Sequence, residues 1–95
     1  MRQIIEVIRE YMAFRKQTWP TGQEALLFTV TEIGEAVDAM LRQDSKWVRN
    51  NQRESNIGDE IGDVAQMLEI ASYELTGKSA TENMLEKMKK KGYTP

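Results

Sequence analysis

The sequence contains no cysteine and no histidine among its 95 residues. Without cysteine the chain has no disulfide, no thiolate metal ligand and no cysteine nucleophile. Without histidine it cannot build a Ser-His-Asp triad, a histidine zinc site or the Glu-x-x-His ligands of di-iron helical bundles. Any metal or catalytic site in this chain therefore depends mainly on oxygen ligands and on lysine and arginine.

A strong net charge and long apolar runs are also missing. The formal net charge is −2, so no overall field attracts nucleic acid or an acidic membrane surface. No apolar run reaches the length of a membrane span, and the first residues, with Glu6 among them, do not have the apolar core of a signal peptide. We therefore expect a cytoplasmic protein that has neither a nucleic-acid partner nor a membrane partner.

The length of the chain predicts one domain over residues 1–95. A chain this short buries only a modest core. Its content of 40% hydrophobic and 29% charged residues suits thin helices with wide solvated faces, or a protomer that shares its core with a copy of itself. We therefore expect a homodimer or a homotetramer.

Apolar side chains recur at helical spacing along four segments, and turn-forming residues separate these segments. The predicted helices cover residues 2–17, 23–43, 55–76 and 82–91. No run favours a strand. The pattern predicts an all-α fold, a small bundle of three to four helices that is completed by dimerisation or tetramerisation. We expect three residues to mark helix ends: Ser55 and Thr81 as N-caps, and Gly77 just after the third helix.

The second predicted helix is apolar on two sides. Its main stripe consists of Leu26, Val30, Ile33, Val37 and Leu41. A smaller apolar group shares the opposite face with two acids: Phe28, Ala36 and Ala39 with Glu32 and Glu35. A partner subunit that covers one of the two sides would explain this pattern.

A four-residue acidic pattern occurs twice in the chain. Residues 32–35, Glu-Ile-Gly-Glu, lie in the second predicted helix, and residues 60–63, Glu-Ile-Gly-Asp, lie in the third. In each copy the two acids are three residues apart, so they project from the same side of a helix. A mid-helix glycine lowers helix stability. Its presence in both copies, as Gly34 and Gly62, predicts that the two helices approach closely there.

The two acidic patterns together predict a metal site. Its expected ligands are Glu32, Glu35, Glu60 and Asp63. Four carboxylates at one point repel each other strongly unless a cation lies among them. Oxygen ligands without nitrogen or sulfur favour Mg²⁺, with Mn²⁺ as a substitute. One such pair alone is more often a pair of solvated acids, so the hypothesis depends on the matching of the two copies.

These residues resemble the MazG-type all-α nucleoside-triphosphate pyrophosphohydrolases. That family carries Glu-Glu-x-x-Glu, followed after a linker by Glu-x-x-Asp, and the similar stretches here are residues 31–35 and 60–63. Thr31 stands in place of the first family glutamate, which leaves the four expected ligands intact and affects only a proton-handling role of that glutamate. The resemblance covers about residues 11–93. Further similar stretches are residues 34–39, Lys46-Trp47 and residues 86–89.

The resemblance implies an enzyme that hydrolyses (deoxy)nucleoside triphosphates between the α and β phosphates, as nucleotide-pool housekeeping. The products are a nucleoside monophosphate and pyrophosphate. Mg²⁺ on the four carboxylates would bind the triphosphate and acidify a water molecule. A carboxylate that the metal does not fully engage could orient or deprotonate that water, and Glu32 and Glu35 are the candidates for this catalytic step.

Candidates for substrate contacts lie near the C-terminal end and in the linker. Asn83, Lys87 and Lys91 are four residues apart on one helix stripe, and the resemblance favours Lys87. Lysines at a helix end could equally complement the helix dipole. Trp47 and Trp19 lie in predicted loops, where each could stack on a base or serve as a packing anchor. We prefer Trp47 for the base, because it falls between the two acidic patterns.

Two alternatives stay open. The first is a non-catalytic helical interaction module, for instance a metal-stabilised dimer, which explains the two-sided second helix but not the repeated acidic pattern. The second lies in the same superfamily, as a phosphoribosyl-ATP pyrophosphohydrolase or an enzyme that prefers deoxyuridine triphosphate. Base preference depends on loops that the sequence does not position.

Overall fold

The computed structural model describes residues 2–44 and 56–94, and over these ranges it is all-helical. Its helices are α1 (Ile4–Phe14), α2 (Gly22–Asp44), α3 (Ile57–Thr76) and α4 (Ala80–Lys90). The predicted all-α bundle is therefore confirmed for the described part of the chain. Within that part, no helix has the length and apolar character needed to cross a membrane.

The end of α1 comes three residues earlier than predicted, at Phe14. The amide N–H of Gln17 donates to the carbonyl of Met12, and that of Lys16 donates to the carbonyl of Ala13. This is the hydrogen-bond pattern of a Schellman motif, which usually has glycine at the left-handed position. Here Lys16 takes that position, with φ 55°. The helix stops because this turn satisfies its last carbonyl groups.

A reciprocal pair of hydrogen bonds begins α2. The N–H of Thr21 donates to Oε1 of Glu24 at 2.9 Å, and the N–H of Glu24 donates to Oγ1 of Thr21 at 3.1 Å. This capping box satisfies two backbone donors that the helix itself leaves free. The bond that the Glu24 carboxylate accepts from the Thr21 N–H is the main cause that lowers the pKa of the exposed Glu24.

Side-chain caps also set the start of α3 and of α4. Asn56 caps α3, and Ser79 caps α4, each accepting a backbone N–H three residues ahead. The predicted cap Thr81 is wrong by two residues, and the predicted cap Ser55 lies outside the described residues. Gly77 ends α3 as predicted, in the left-handed conformation with φ 75°.

The main packing pair is α2 and α3, and both α1 and α4 pack against α3. The core cluster is small, and it consists of Ile5, Ile8, Met12, Ala25, Ile70 and Ala71. Trp19, Met67 and Tyr73 pack against it and are half-buried. Of the described side chains, Ile70 is the one large residue that is fully buried.

The side of α2 that packs is not the predicted main stripe. The five stripe residues, from Leu26 to Leu41, are each between 38% and 68% exposed. The buried residues of α2 are instead Gly22, Ala25, Thr29 and Ala39. Small side chains let the backbones approach, and the buried hydroxyl of Thr29 is satisfied because it donates to the carbonyl of Ala25 at 2.8 Å. Periodicity therefore located an apolar stripe but not the contact face.

Trp19 anchors the segment after α1 to α3. Its Nε1 donates to Oε1 of Glu74 at 2.8 Å. The guanidinium of Arg9 lies 4.4 Å from the Trp19 ring centroid and 5.5 Å from that of Tyr73, and it pairs with Glu74 at 3.4 Å. A cation over an aromatic face is attractive. These contacts make Trp19 a packing anchor.

Ile70→Ala should lower the free energy of unfolding by about 3 kcal/mol, because it removes apolar contacts and leaves a cavity. Urea denaturation followed by circular dichroism measures this change. Phe14→Ala is the control, since Phe14 is 83% exposed, and it should change stability by less than about 0.5 kcal/mol. Equal losses in the two variants would contradict the position of the core.

Candidate metal centre

Three carboxylates converge where α2 and α3 pack together. They belong to Glu32, Glu60 and Asp63, and one oxygen atom of each lies within 4.8 Å of the others. Glu32 and Glu60 are half-buried, whereas Asp63 is exposed. Ionised acids at this separation repel one another, and partial burial strengthens the repulsion because water screens it less. The arrangement therefore favours the uptake of a proton or a cation.

Glu35, the fourth predicted ligand, lies beside this group. In its protonated form the Glu32 carboxyl donates a hydrogen bond to Glu35. Burial raises the pKa of Glu32 most, and the negative charges of Glu35, Asp63 and Glu60 raise it further. The structure thus brings the four predicted acids into one neighbourhood, three in direct convergence and one as a neighbour of Glu32.

One oxygen of Glu60 has no partner within the described structure. Its Oε2 atom is buried and accepts no hydrogen bond. A buried carboxylate oxygen without a donor is unfavourable, because it has lost its hydrogen bonds to water and no protein donor replaces them. A cation among the three carboxylates would supply the missing interaction. The all-oxygen ligand set fits Mg²⁺ or Mn²⁺.

The two glycines of the acidic repeat do not mark a close helix contact. A Cβ atom built at Gly34 or at Gly62 would meet no described atom within 4 Å, apart from its own helix backbone. The prediction of close approach there is therefore wrong. Each glycine follows a converging glutamate by two positions, which turns it by about 200° around the helix and away from the contact. The tight contact of α2 lies at Gly22, where a Cβ would come within 2.8 Å of the Leu75 side chain.

A cleft of about 260 Å³ opens beside the carboxylates. Helix α1, the segment after it, α2 and α3 all contribute to its walls. Its lining residues are Tyr11, Met12, Arg15, Gln17, Thr18, Pro20, Phe28, Glu32, Asp63, Gln66 and Met67. The lining combines aromatic and thioether side chains with about as many amide, hydroxyl and charged groups, so the cleft suits a ligand that has both a flat ring and polar atoms.

Arg15 is the cationic group of this cleft. Its Nη1 donates to the Tyr11 hydroxyl at 3.1 Å, and its guanidinium lies 5.8 Å from the Tyr11 ring centroid. The hydrogen bond to Tyr11 is the main cause that raises the pKa of Arg15, and the charge of Asp63 adds a smaller contribution. The sequence offered no indication of this residue, because its position depends on how α1 packs against α3.

The residues of α4 that were predicted to contact the substrate do not line the cleft. The Asn83 amide donates to the Ser72 and Thr76 hydroxyl oxygens at 2.8 and 2.9 Å, which ties α4 to the last turns of α3. Lys87 and Lys91 are exposed at the end of α4 and do not line the cleft. A lysine at that end complements the helix dipole. A role of these residues in substrate binding stays a prediction.

The predicted base-stacking residue, Trp47, lies outside the described residues. Aromatic groups do border the cleft, but they are Tyr11 and Phe28. Both belong to helices whose apolar positions the sequence indicates as packing residues. Their place beside the carboxylates becomes visible only once α1 is packed against the α2–α3 pair.

Comparison of the chain with protein-family models, with curated proteins and with solved structures found no match. The resemblance to the MazG-type enzymes therefore depends on the short stretches quoted above. A functional assignment has to start from the geometry of the carboxylates and the cleft.

Without divalent cations, Glu32→Gln should make the chain more stable than wild type at about pH 8. The folded chain holds the Glu32 proton more tightly than the unfolded chain does, so ionisation of Glu32 lowers stability. This loss of folding stability is absent at pH values below 4.5, the ordinary pKa of a glutamate. It is complete at pH values above the raised pKa of Glu32. The gain from the substitution should therefore shrink at about pH 4.

Urea denaturation in a chelating buffer at the two pH values measures this gain. Glu6→Gln is the control, because Glu6 is an exposed acid in the first turn of α1, and it should give no stabilisation. A Glu32→Gln variant that is no more stable than wild type at the higher pH would contradict the repulsion among these carboxylates.

Proposed function

We propose that this chain is a Mg²⁺-dependent nucleoside-triphosphate pyrophosphohydrolase that converts (deoxy)nucleoside triphosphates to monophosphates and pyrophosphate. The observation that carries the proposal is the convergence of Glu32, Glu60 and Asp63 oxygens within 4.8 Å. The cleft beside them offers room for an organic ligand. The resemblance to the MazG-type enzymes supplies the reaction.

Glu32, Glu60 and Asp63 would hold the ion, and Glu35 would support Glu32 through their hydrogen bond. The unpartnered oxygen of Glu60 is the strongest indication that these residues fit a cation. When bound, Mg²⁺ would supply positive charge for the phosphate oxygens and acidify a water molecule. Without the ion, the cluster carries only negative charge toward an anionic substrate.

Glu32 and Glu35 are the groups of this chain that suit proton handling. A general base works best when its pKa lies near the working pH. In the metal-free chain the pKa of Glu32 is raised, by burial first and by its acidic neighbours second. A bound cation would oppose this rise, so the candidate base is the carboxylate of the pair that the ion engages less. The hydrogen bond between Glu32 and Glu35 gives the accepted proton a second oxygen to interact with. In the proposed reaction this pair takes the proton from the attacking water.

The cleft would position the rest of the substrate. Tyr11 and Phe28 present aromatic side chains on which a base can stack, and Gln17 and Gln66 present amides that can hydrogen-bond to base edges. Arg15 lies close enough to Asp63 to respond to its charge. A guanidinium at that place is suited to contact phosphate oxygens next to the carboxylates.

Glu60→Gln and Asp63→Asn should each lower Mg²⁺-dependent hydrolysis by roughly 100-fold or more, because each removes a charged ligand. Chromatography of the products from a panel of nucleoside and deoxynucleoside triphosphates measures this, with and without Mg²⁺. Asp59→Asn is the matched control. Asp59 is an exposed acid in the first turn of α3, next to Glu60, and it does not belong to the three converging carboxylates. The control variant should keep wild-type activity.

The same panel separates the alternatives. Wild-type rates in both cluster variants would contradict the site, and no turnover of any nucleotide by wild type would favour the non-catalytic helical module. A strong preference for deoxyuridine triphosphate, or turnover of phosphoribosyl-ATP alone, would select one of the two superfamily alternatives. Products other than a monophosphate and pyrophosphate would contradict the proposed reaction.

Arg15→Gln should raise KM for the triphosphate about tenfold, because it removes one charge-assisted contact to phosphate. Steady-state kinetics at saturating Mg²⁺ measures KM and kcat separately. Arg2→Gln is the control, since Arg2 is an exposed arginine near the start of the chain that pairs with Glu10, and it does not line the cleft. An unchanged KM in Arg15→Gln would exclude Arg15 from substrate binding.

A further inference from the structure

Part of the cleft is built from a segment that has little backbone pairing. We name residues 17–20, which follow the turn at the end of α1, the wall segment. Its residues Gln17, Thr18 and Pro20 line the cleft. The N–H of Gln17 donates to the carbonyl of Met12, but residues 18–20 make no backbone–backbone hydrogen bond within the described structure. The position of the wall segment therefore depends on side-chain contacts.

Trp19 is the residue of the wall segment whose side chain leaves the cleft. It is half-buried and packs against the core cluster. Its Nε1 donates to Oε1 of Glu74 at 2.8 Å. Nη2 of Arg9 lies 3.4 Å from the same oxygen, and the Arg9 guanidinium lies over the Trp19 ring. Helix α1, the wall segment and α3 thus meet at one carboxylate oxygen.

Glu74 also borders the first residue of α2. A Cβ atom built at Gly22 would lie 3.1 Å from the Cβ of Glu74 and 2.8 Å from the Leu75 side chain. The backbone of α2 therefore begins directly against α3, just after the wall segment. At the other end, the turn at Lys16 fixes where α1 stops. The wall segment is held at both ends and, through Trp19, in its middle.

The hydrogen bond from Trp19 is the stronger of the two contacts that Glu74 makes. The side chains of Arg9 and Glu74 are 47% and 32% exposed, so their ion pair contributes little because water screens it. The indole N–H of the half-buried Trp19 has less access to water and depends more on a protein acceptor. Among the described contacts, Glu74 is the acceptor that it has. Loss of the Glu74 carboxylate would therefore loosen Trp19.

We propose that Glu74 is a positioning residue for the substrate, because through Trp19 it holds Gln17 and Thr18 in the wall of the cleft. This inference rests on the proposed function, since it concerns how the organic part of that substrate is bound. Glu74 does not line the cleft itself, so its effect passes through the wall segment. A wall that is in place for about a tenth of the time would weaken apparent affinity about tenfold.

Kinetics of three variants test the effect on the substrate. Glu74→Ala removes the acceptor, and Trp19→Phe removes the donor but keeps a ring. Each should raise KM for the triphosphate about tenfold and leave kcat within about twofold. Glu74→Gln keeps a side-chain oxygen that can accept from Trp19, so it should restore KM. Glu10→Ala is the control, because Glu10 is an exposed acid that pairs with Arg2 and does not line the cleft.

Nuclear magnetic resonance tests the wall segment without any turnover. Amide relaxation should give Gln17 and Thr18 order parameters of about 0.85 in the wild type and in Glu74→Gln, and below about 0.6 in Glu74→Ala. The indole N–H resonance of Trp19, identified by its loss in Trp19→Phe, should shift in Glu74→Ala. Circular dichroism confirms that each variant is folded.

Unchanged order parameters in Glu74→Ala would overturn the proposal. A lower kcat with an unchanged KM would also overturn it, because a loss of folded protein alone gives that result. A mobile wall segment with a wild-type KM would show that the wall does not contribute to binding. No turnover by the wild type would instead contradict the proposed reaction, and the order parameters alone would then decide whether Glu74 positions the wall segment.

Discussion

Repulsion among carboxylates at the contact of α2 and α3 is the constraint on which the rest of the structure depends. Small residues such as Ala25 and Ala39 let the two helices approach, and the same approach carries Glu32 and Glu60 into half-buried positions near Asp63. The packing that stabilises the helix pair therefore creates an unfavourable charge cluster. A bound cation would relieve this cost, so metal binding and folding stability would be coupled in this chain.

The same packing decides what the outer surfaces of the helix pair do. Because α2 uses its small residues against α3, its large aliphatic side chains face outward. One side of the pair receives α1 and forms the cleft beside the carboxylates. Another side stays apolar and uncharged. The cleft beside the acids and the uncharged apolar side thus both follow from one choice of contact face.

Local patterns predicted the helices and the acid pair within each copy of the repeat, because both depend on spacing along one helix. Gly77 ends α3 as expected. Glu32 and Glu60 converge across two helices, but the glycines that were the predicted reason lie away from the contact. The contact face of α2 could not be predicted in this way, because periodicity finds apolar stripes but does not show which stripe a neighbouring helix covers. The Schellman turn at Lys16 was missed because it lacks the glycine that usually marks it.

The cleft could not be predicted, because its walls come from segments that only tertiary packing brings together. The segment after α1 supplies part of the wall, and two contacts hold it in place. The turn at Lys16 fixes where α1 ends, and Trp19, bonded to Glu74 and stacked under Arg9, fixes the segment on α3. A wall held this way is ordered before any ligand arrives, so binding does not have to order it. The contacts of Trp19 with α3 thus stabilise a wall of the cleft beside the carboxylates, although Trp19 itself does not line the cleft.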